Sequence, residues 1–162
     1  MGEARKLAEE TLRMVRDLSM VLRPSVLDEL GLGPALRWQA RQFTHRTGAP
    51  VEISIDGSLD SLAEPRRTCV YKVVQEALTN CARHARAKQI RITIHGGVST
   101  ITLTVEDDGA GFDVSAARAR GLGLLGAEER VRELSGRLEI FSQPLKGTLL
   151  RCEIPASTGV AV

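Results

Sequence analysis

An alternating run, Thr100-Ile-Thr-Leu-Thr-Val-Glu106, leads without a spacer into Asp107-Asp-Gly-Ala-Gly-Phe-Asp113, and this junction constrains the fold more than any other stretch of the chain. Period-two alternation marks a half-buried strand. A carboxylate therefore stands at the strand's end, next to glycines that let the backbone approach a ligand closely. The other reading of Asp107-Asp-Gly is a plain turn.

The second constraint lies upstream, in Gln75-Glu-Ala-Leu-Thr-Asn-Cys-Ala-Arg-His-Ala85. This belongs to a helical pattern from about Glu64 to Ala85, with Pro65 in its first turn. Val70, Val73, Val74, Ala77, Leu78 and Cys81 share one face, while Glu76, Asn80 and Arg83 recur at i, i+4 and i+7 on another. A carboxylate, an amide oxygen and a guanidinium on one line can serve an attacking group, a hydrated Mg²⁺ and phosphate oxygens respectively. An ordinary solvated helix face has the same composition. His84 lies at the edge of this line, where a supporting part suits it better than catalysis.

The remaining elements define the fold class. Val51-Glu-Ile-Ser-Ile-Asp56 alternates as a strand, Gln89 to His95 and Thr100 to Glu106 form a hairpin through Gly96-Gly97, and strands follow near Arg137 to Ser142 and Thr148 to Ile154. Helical patterns cover about Ala35 to Thr47 and Leu122 to Ser135. The expectation is an α/β protein, a two-layer sandwich with a mixed sheet. An amphipathic helix precedes it: Leu7, Thr11, Met14, Leu18 and Val21 form a heptad seam within Glu3 to Leu22, with Ala8, Leu12, Val15 and Leu22 beside it. Pro24 stops that helix, and Gly31, Gly33 and Pro34 punctuate a linker.

Several function classes lose support from composition. A length of 162 residues suits one α/β domain with an appendage. A net charge of +2 and five scattered aromatics (Trp38, Phe43, Tyr71, Phe112, Phe141) argue against a nucleic-acid surface. Cys69, Cys81 and Cys152 have neither disulfide nor zinc spacing, which fits a reducing cytoplasm. His45, His84 and His95 are too scattered for metal ligation. No apolar run reaches the roughly 20 residues of a membrane span, although such a chain can be the cytoplasmic end of a membrane-anchored protein.

Gly121-Leu-Gly-Leu-Leu-Gly126 matches a dinucleotide fingerprint in letters, but no buried strand precedes it and no βαβ unit follows. The start of the next helix could instead hold phosphate oxygens on backbone N–H groups. Lys146-Gly147-Thr148 reads as a turn before the last strand.

In this order, the three motifs resemble the GHKL superfamily of ATPases (gyrase, heat-shock chaperone, histidine kinase and MutL), built on the Bergerat-type ATP-binding fold. The resemblance covers about residues 33 to 155. Within it, Leu22-Arg-Pro24, Leu27-Asp28, Leu30-Gly-Leu32 and Ala35-Leu36 resemble the join of the sensor histidine kinases that pair with LuxR-like response regulators. The resemblance implies ATP and Mg²⁺ as ligands, with Asn80 on Mg²⁺, Glu76 as the acidic residue of its helix, and Arg83 facing phosphate. It implies that Asp107 reads adenine, that Gly109 and Gly111 line the nucleotide, and that Thr148 lies near the base. His84 and the segment Gly121, Leu122, Gly123 and Leu124 complete the expected ATP contacts, with Asp113 to Arg120 as a short mobile lid.

The same resemblance divides the chain into a partial second dimerisation helix and linker (1–32), a catalytic domain (33–155) and a tail (156–162). No histidine has the His-Asp setting of the family's phosphoacceptor, so the chain is expected to act on an acceptor helix that it lacks. Implied partners are a LuxR-like response regulator and the protein's own sensor and dimerisation region. The full protein is expected to be a homodimer and this fragment a monomer or weak dimer. An anti-sigma-factor-type serine kinase and a non-catalytic interaction module of the same fold are the alternatives.

Overall fold

Ile90, Ile92 and Ile94 are fully buried while Arg91, Thr93 and His95 between them are exposed, and this alternation sets the orientation of the central sheet. In the computed structural model, which describes residues 25–59, 61–119 and 124–156, five strands form one sheet. They are β1 (Val51–Gly57), β2 (Ile90–Gly96), β3 (Thr100–Asp107), β4 (Arg137–Ser142) and β5 (Thr148–Pro155), in the order β1-β2-β3-β5-β4. β1 runs parallel to β2, and the other pairs are antiparallel. The sheet is thus mixed, as expected.

Helices cover one face. The described ones are α1 (Ser25–Leu30), α2 (Leu32–Thr47), α3 (Glu64–Asn80), α4 (Val114–Ala119) and α5 (Leu124–Glu133), and a π-helical turn, Cys81–Ala85, continues α3. α2 packs on β1 and α3, while α5 packs on β4 and α3. Between the layers, Leu36, Val70, Val73 and Val74 of the helices meet Ile92, Ile101, Leu103 and Ile154 of the sheet, all within one core. Each such side chain contributes about 1.5–3 kcal/mol on burial, so the core is aliphatic in energy as well as in composition.

Two segments differ from the sequence expectation. The linker is helical: α1 occupies Ser25–Leu30, and α2 starts at Leu32 rather than Ala35. Leu27 and Leu32 are buried in the common core, and that burial outweighs the local punctuation. Gly31, at φ 81°, makes the break between the helices. Pro34 lies in the first turn of α2, where a missing N–H costs nothing. The expected lid interval contains a helix, α4, with Ala117 buried. The heptad seam from Glu3 to Leu22, the Leu22-Arg-Pro24 motif, Arg120 to Gly123 and residues 157–162 lie outside the described residues.

One core position runs against its surroundings. Gln39 continues the buried stripe Leu32, Ala35, Leu36, Ala40, Phe43 of α2, yet neither its Nε2 nor its Oε1 has a partner among the described residues. A buried amide left unpaired costs about 1–3 kcal/mol. Gln39→Leu should therefore stabilise the chain by about 1–2 kcal/mol in urea denaturation. A loss of stability would contradict an unpaired amide at this position.

Candidate active site

α3 widens into the π turn at Cys81, just past Asn80, and this departure determines which polar residues share a face. In a wider turn each residue advances by less than the 100° of an α-helix. The straight-helix line therefore holds from Glu76 to Asn80 and breaks before Arg83. Asn80 and His84 both line a cavity of about 390 Å³, while Arg83, exposed, and Glu76, half-buried, are not among its lining residues. Arg86 closes the turn in the left-handed region at φ 48°.

Two adjacent carboxylates end β3 and point to different tasks. Asp107 is buried at 7 % exposure and lines the cavity. Its Oδ1 accepts the Gly109 N–H at 2.8 Å, and the Cys81 thiol donates to its Oδ2 at 3.5 Å. Asp108 is exposed and turned to the protein, accepting the N–H groups of Lys88 (2.7 Å) and Gln89 (3.0 Å) on Oδ1. The Gln89 and Lys88 backbone donors hold its carboxyl below the usual range. Asp108 thus ties the start of β2 to the end of β3, and Asp107 remains for a ligand.

The glycines of this loop lack side chains because protein backbone is close. A Cβ on Gly109 would meet the carbonyl oxygen of Ala85 in the π turn, and one on Gly111, at φ +58°, would meet that of Gln143. Ala110 links the same parts, its N–H bonded to Ala85 O and its carbonyl accepting from Leu145 N–H, each at 2.6 Å. Gly111 lines the cavity and Gly109 does not. The loop is thereby clamped between the π turn and the β4–β5 hairpin.

Register brings the last polar group in. Asp107 pairs directly with Thr148 across β3 and β5, and both line the cavity. Ser142 Oγ lies 3.2 Å from Thr148 Oγ1, donates to Gly147 O (2.8 Å) and accepts the Phe112 N–H (2.9 Å). Val105, Ile140, Leu150 and Phe112 supply apolar walls, a setting suited to a flat heterocycle with one carboxylate to read its edge. α4 closes a side with Ala116 and Ala117, and Asp113 Oδ1 accepts the Ala116 N–H at 3.0 Å in its first turn. An Arg118–Glu128 ion pair at 2.6 Å joins α4 to α5.

Of the expected site residues, Asn80, His84, Asp107, Gly111 and Thr148 converge on the cavity. Gly121, Leu122 and Gly123 lie outside the described residues, and Leu124 begins α5. Sequence reasoning had Cys81 as core alone and missed Phe112, Ala116 and Ala117. Ile140 and Leu150 were legible as inward positions of their strands, though not as cavity walls. Among the described residues, no cluster of three or more His, Cys, Asp or Glu could hold a metal ion, and no helix is long and apolar enough to cross a membrane.

Residues 66–158 match the family described as histidine kinase-, DNA gyrase B-, and HSP90-like ATPases. The chain is similar to the signal transduction histidine-protein kinase/phosphatase DegS of Brevibacillus brevis, 33% identical over 96% of this chain and 40% of DegS. It is also similar to the sensor histidine kinase MctS of Rhizobium johnstonii, 38% identical over 90% of this chain and 32% of MctS. For the oxygen sensor histidine kinase NreB of Staphylococcus carnosus the figures are 37%, 87% and 41%. The chain thus spans at most 41% of these relatives' lengths. In fold it is similar to the histidine kinase domain of a blue-light activated kinase from Erythrobacter litoralis EL346, with TM-score 0.60 and 23% identity over 77% of this chain and 61% of that one. A carboxylate-bearing cavity beside a polar helix and a family match over more than half of the residues agree, and the chain belongs to the histidine kinase-, DNA gyrase B- and HSP90-like ATPases.

Proposed function

We propose that this chain is the ATP-binding catalytic portion of a two-component sensor histidine kinase. It transfers the γ-phosphoryl group of ATP to a histidine on a dimerisation helix, for relay to a response-regulator aspartate. The observation that carries this reading is the 390 Å³ cavity with Asp107 buried in it, Asn80 and His84 along one side, and apolar walls. Its volume and chemistry fit an adenine base, whose exocyclic amine would donate to Asp107. Asn80 presents a neutral hard oxygen of the kind Mg²⁺ accepts beside phosphate oxygens. When bound, Mg²⁺ neutralises phosphate charge; the chain's own residues position the reactants.

In the transfer, the P–O bond to the β-phosphate breaks, a P–N bond to the acceptor imidazole forms, and ADP leaves. Glu76, on the same helix as Asn80 and outside the cavity, takes the imidazole proton. Gly109 shapes the loop under the nucleotide, Gly111 and Thr148 border the base, Arg83 faces the acceptor or the phosphates from outside, and backbone N–H groups of Gly121, Leu122, Gly123 and Leu124 hold phosphate. The proposed division is a dimerisation helix and linker at 1–32, the catalytic domain at 33–155 and a tail at 156–162. The relatives named as sensor kinases support a response-regulator partner. We take that partner to carry a LuxR-like DNA-binding domain, this portion to act in the cytoplasm whether or not the full-length protein is membrane-anchored, and the full-length protein to be a homodimer.

The test is incubation with γ-labelled ATP, Mg²⁺ and a separately supplied acceptor helix. Acid-labile label should appear on the helix and not on this chain, and Glu76→Gln should slow transfer by about 100-fold with ATP affinity retained. Acid-stable label on serine would establish the serine-kinase alternative. ATP binding without any transfer would leave an interaction module.

A further inference from the structure

Cys81 occupies a place that a core residue alone does not need. It is the first residue of the π turn, is 8% exposed, and lines the cavity between Asn80 and Asp107. Its Sγ lies 3.5 Å from Asp107 Oδ2, while Gly109 N–H holds Oδ1 at 2.8 Å, so each carboxylate oxygen has one protein donor. One donor fixes one oxygen, but the terminal torsion of an aspartate is broad, and the carboxylate plane can still turn about that contact. A second donor on the other oxygen removes this freedom and leaves each oxygen a further lone pair.

We infer that Cys81 is a positioning residue: its S–H holds the Asp107 carboxylate in the orientation that reads the exocyclic amine of adenine, and so contributes to base selection. This rests on the ATP-site reading above. Cys81 acts through Asp107, which separates its effect from that of a residue needed for the fold or for nucleotide binding in general.

The experiment is calorimetric titration of the chain with ATP and with purine riboside 5′-triphosphate, which lacks the amine. Wild type, Cys81→Ala and Cys81→Ser are compared, after thermal melts show that each is folded. Cys81→Ala should weaken ATP binding by about fivefold to tenfold, leave the analogue within about twofold of wild type, and thereby narrow the preference for ATP. Cys81→Ser, which restores a donor, should return ATP affinity to within about twofold of wild type. Cys81→Val, apolar and without a donor, replaces Cys81→Ala if the smaller side chain unfolds the chain. Equal losses for both nucleotides, or no loss for either, would overturn the inference alone. Wild type that binds both nucleotides equally would overturn the adenine role of Asp107 and this inference with it. Wild type that binds neither would overturn the site reading itself.

Discussion

Asp107→Asn should weaken ATP binding by about 100-fold or more while the chain stays folded. The carboxylate accepts from Gly109 N–H on one oxygen and Cys81 S–H on the other. An asparagine offers one acceptor and one donor in their place, so its amide N–H₂ must face one of the two donors or the exocyclic amine of the base. A site built to accept a hydrogen bond rejects a partner that cannot make it far more strongly than an apolar wall rejects a methylene. Asp108→Asn is the control. Its carboxylate is exposed and engaged with the backbone of Lys88 and Gln89, so ATP affinity should change by less than about threefold. Calorimetry on the two variants reads the contrast directly; equal losses would mean that the loop responds as a unit and that Asp107 has no special part.

Gly147→Ala is the substitution with the largest expected cost to stability, about 3–5 kcal/mol in chemical denaturation. Gly147 has φ +71°, and a Cβ there would meet the carbonyl oxygen of Asp107 on the adjacent strand. The left-handed conformation alone costs a side chain about 1–2 kcal/mol, and the blocked contact is backbone, which has no rotamer to yield. The β4–β5 hairpin would have to lift from the loop, taking with it the Ser142 contacts to Gly147 O and Phe112 N–H. ATP affinity should fall with stability. Gly126→Ala sets the scale: among the described residues nothing lies within 4 Å of the added Cβ, and a helical glycine replaced by alanine gains about 0.5–1 kcal/mol. A Gly147→Ala chain as stable as wild type would contradict this account of the hairpin.

These two expectations draw on different layers of information. Asp107 could be named from the sequence because an alternating strand delivered it to a glycine loop, but its neighbour Asp108 had the same chemistry and nearly the same position. Their division of labour follows from the Lys88 and Gln89 N–H groups, brought to Asp108 by the β2–β3 pairing. Gly147 looked like part of a plain turn. Its constraint comes from a carbonyl 40 residues away in sequence, at Asp107, which no local signal reports.

The five strands, their alternation and the long helices were legible from the chain because periodicity and apolar burial act over neighbouring residues, and they survive packing unchanged. The α1 and early α2 helices were not, since Gly31, Gly33 and Pro34 are local breakers whose effect the burial of Leu27 and Leu32 outweighs. Nor was the placement of Arg83 outside the cavity, because the π turn changes the angular step just past Asn80. Sequence by itself determined which residue types could bind a nucleotide and on which elements they sit, since spacing and side-chain chemistry are properties of the chain. Tertiary structure decided which of them share one cavity and which face the protein instead, because strand register and helix pitch bring together groups that the chain keeps far apart.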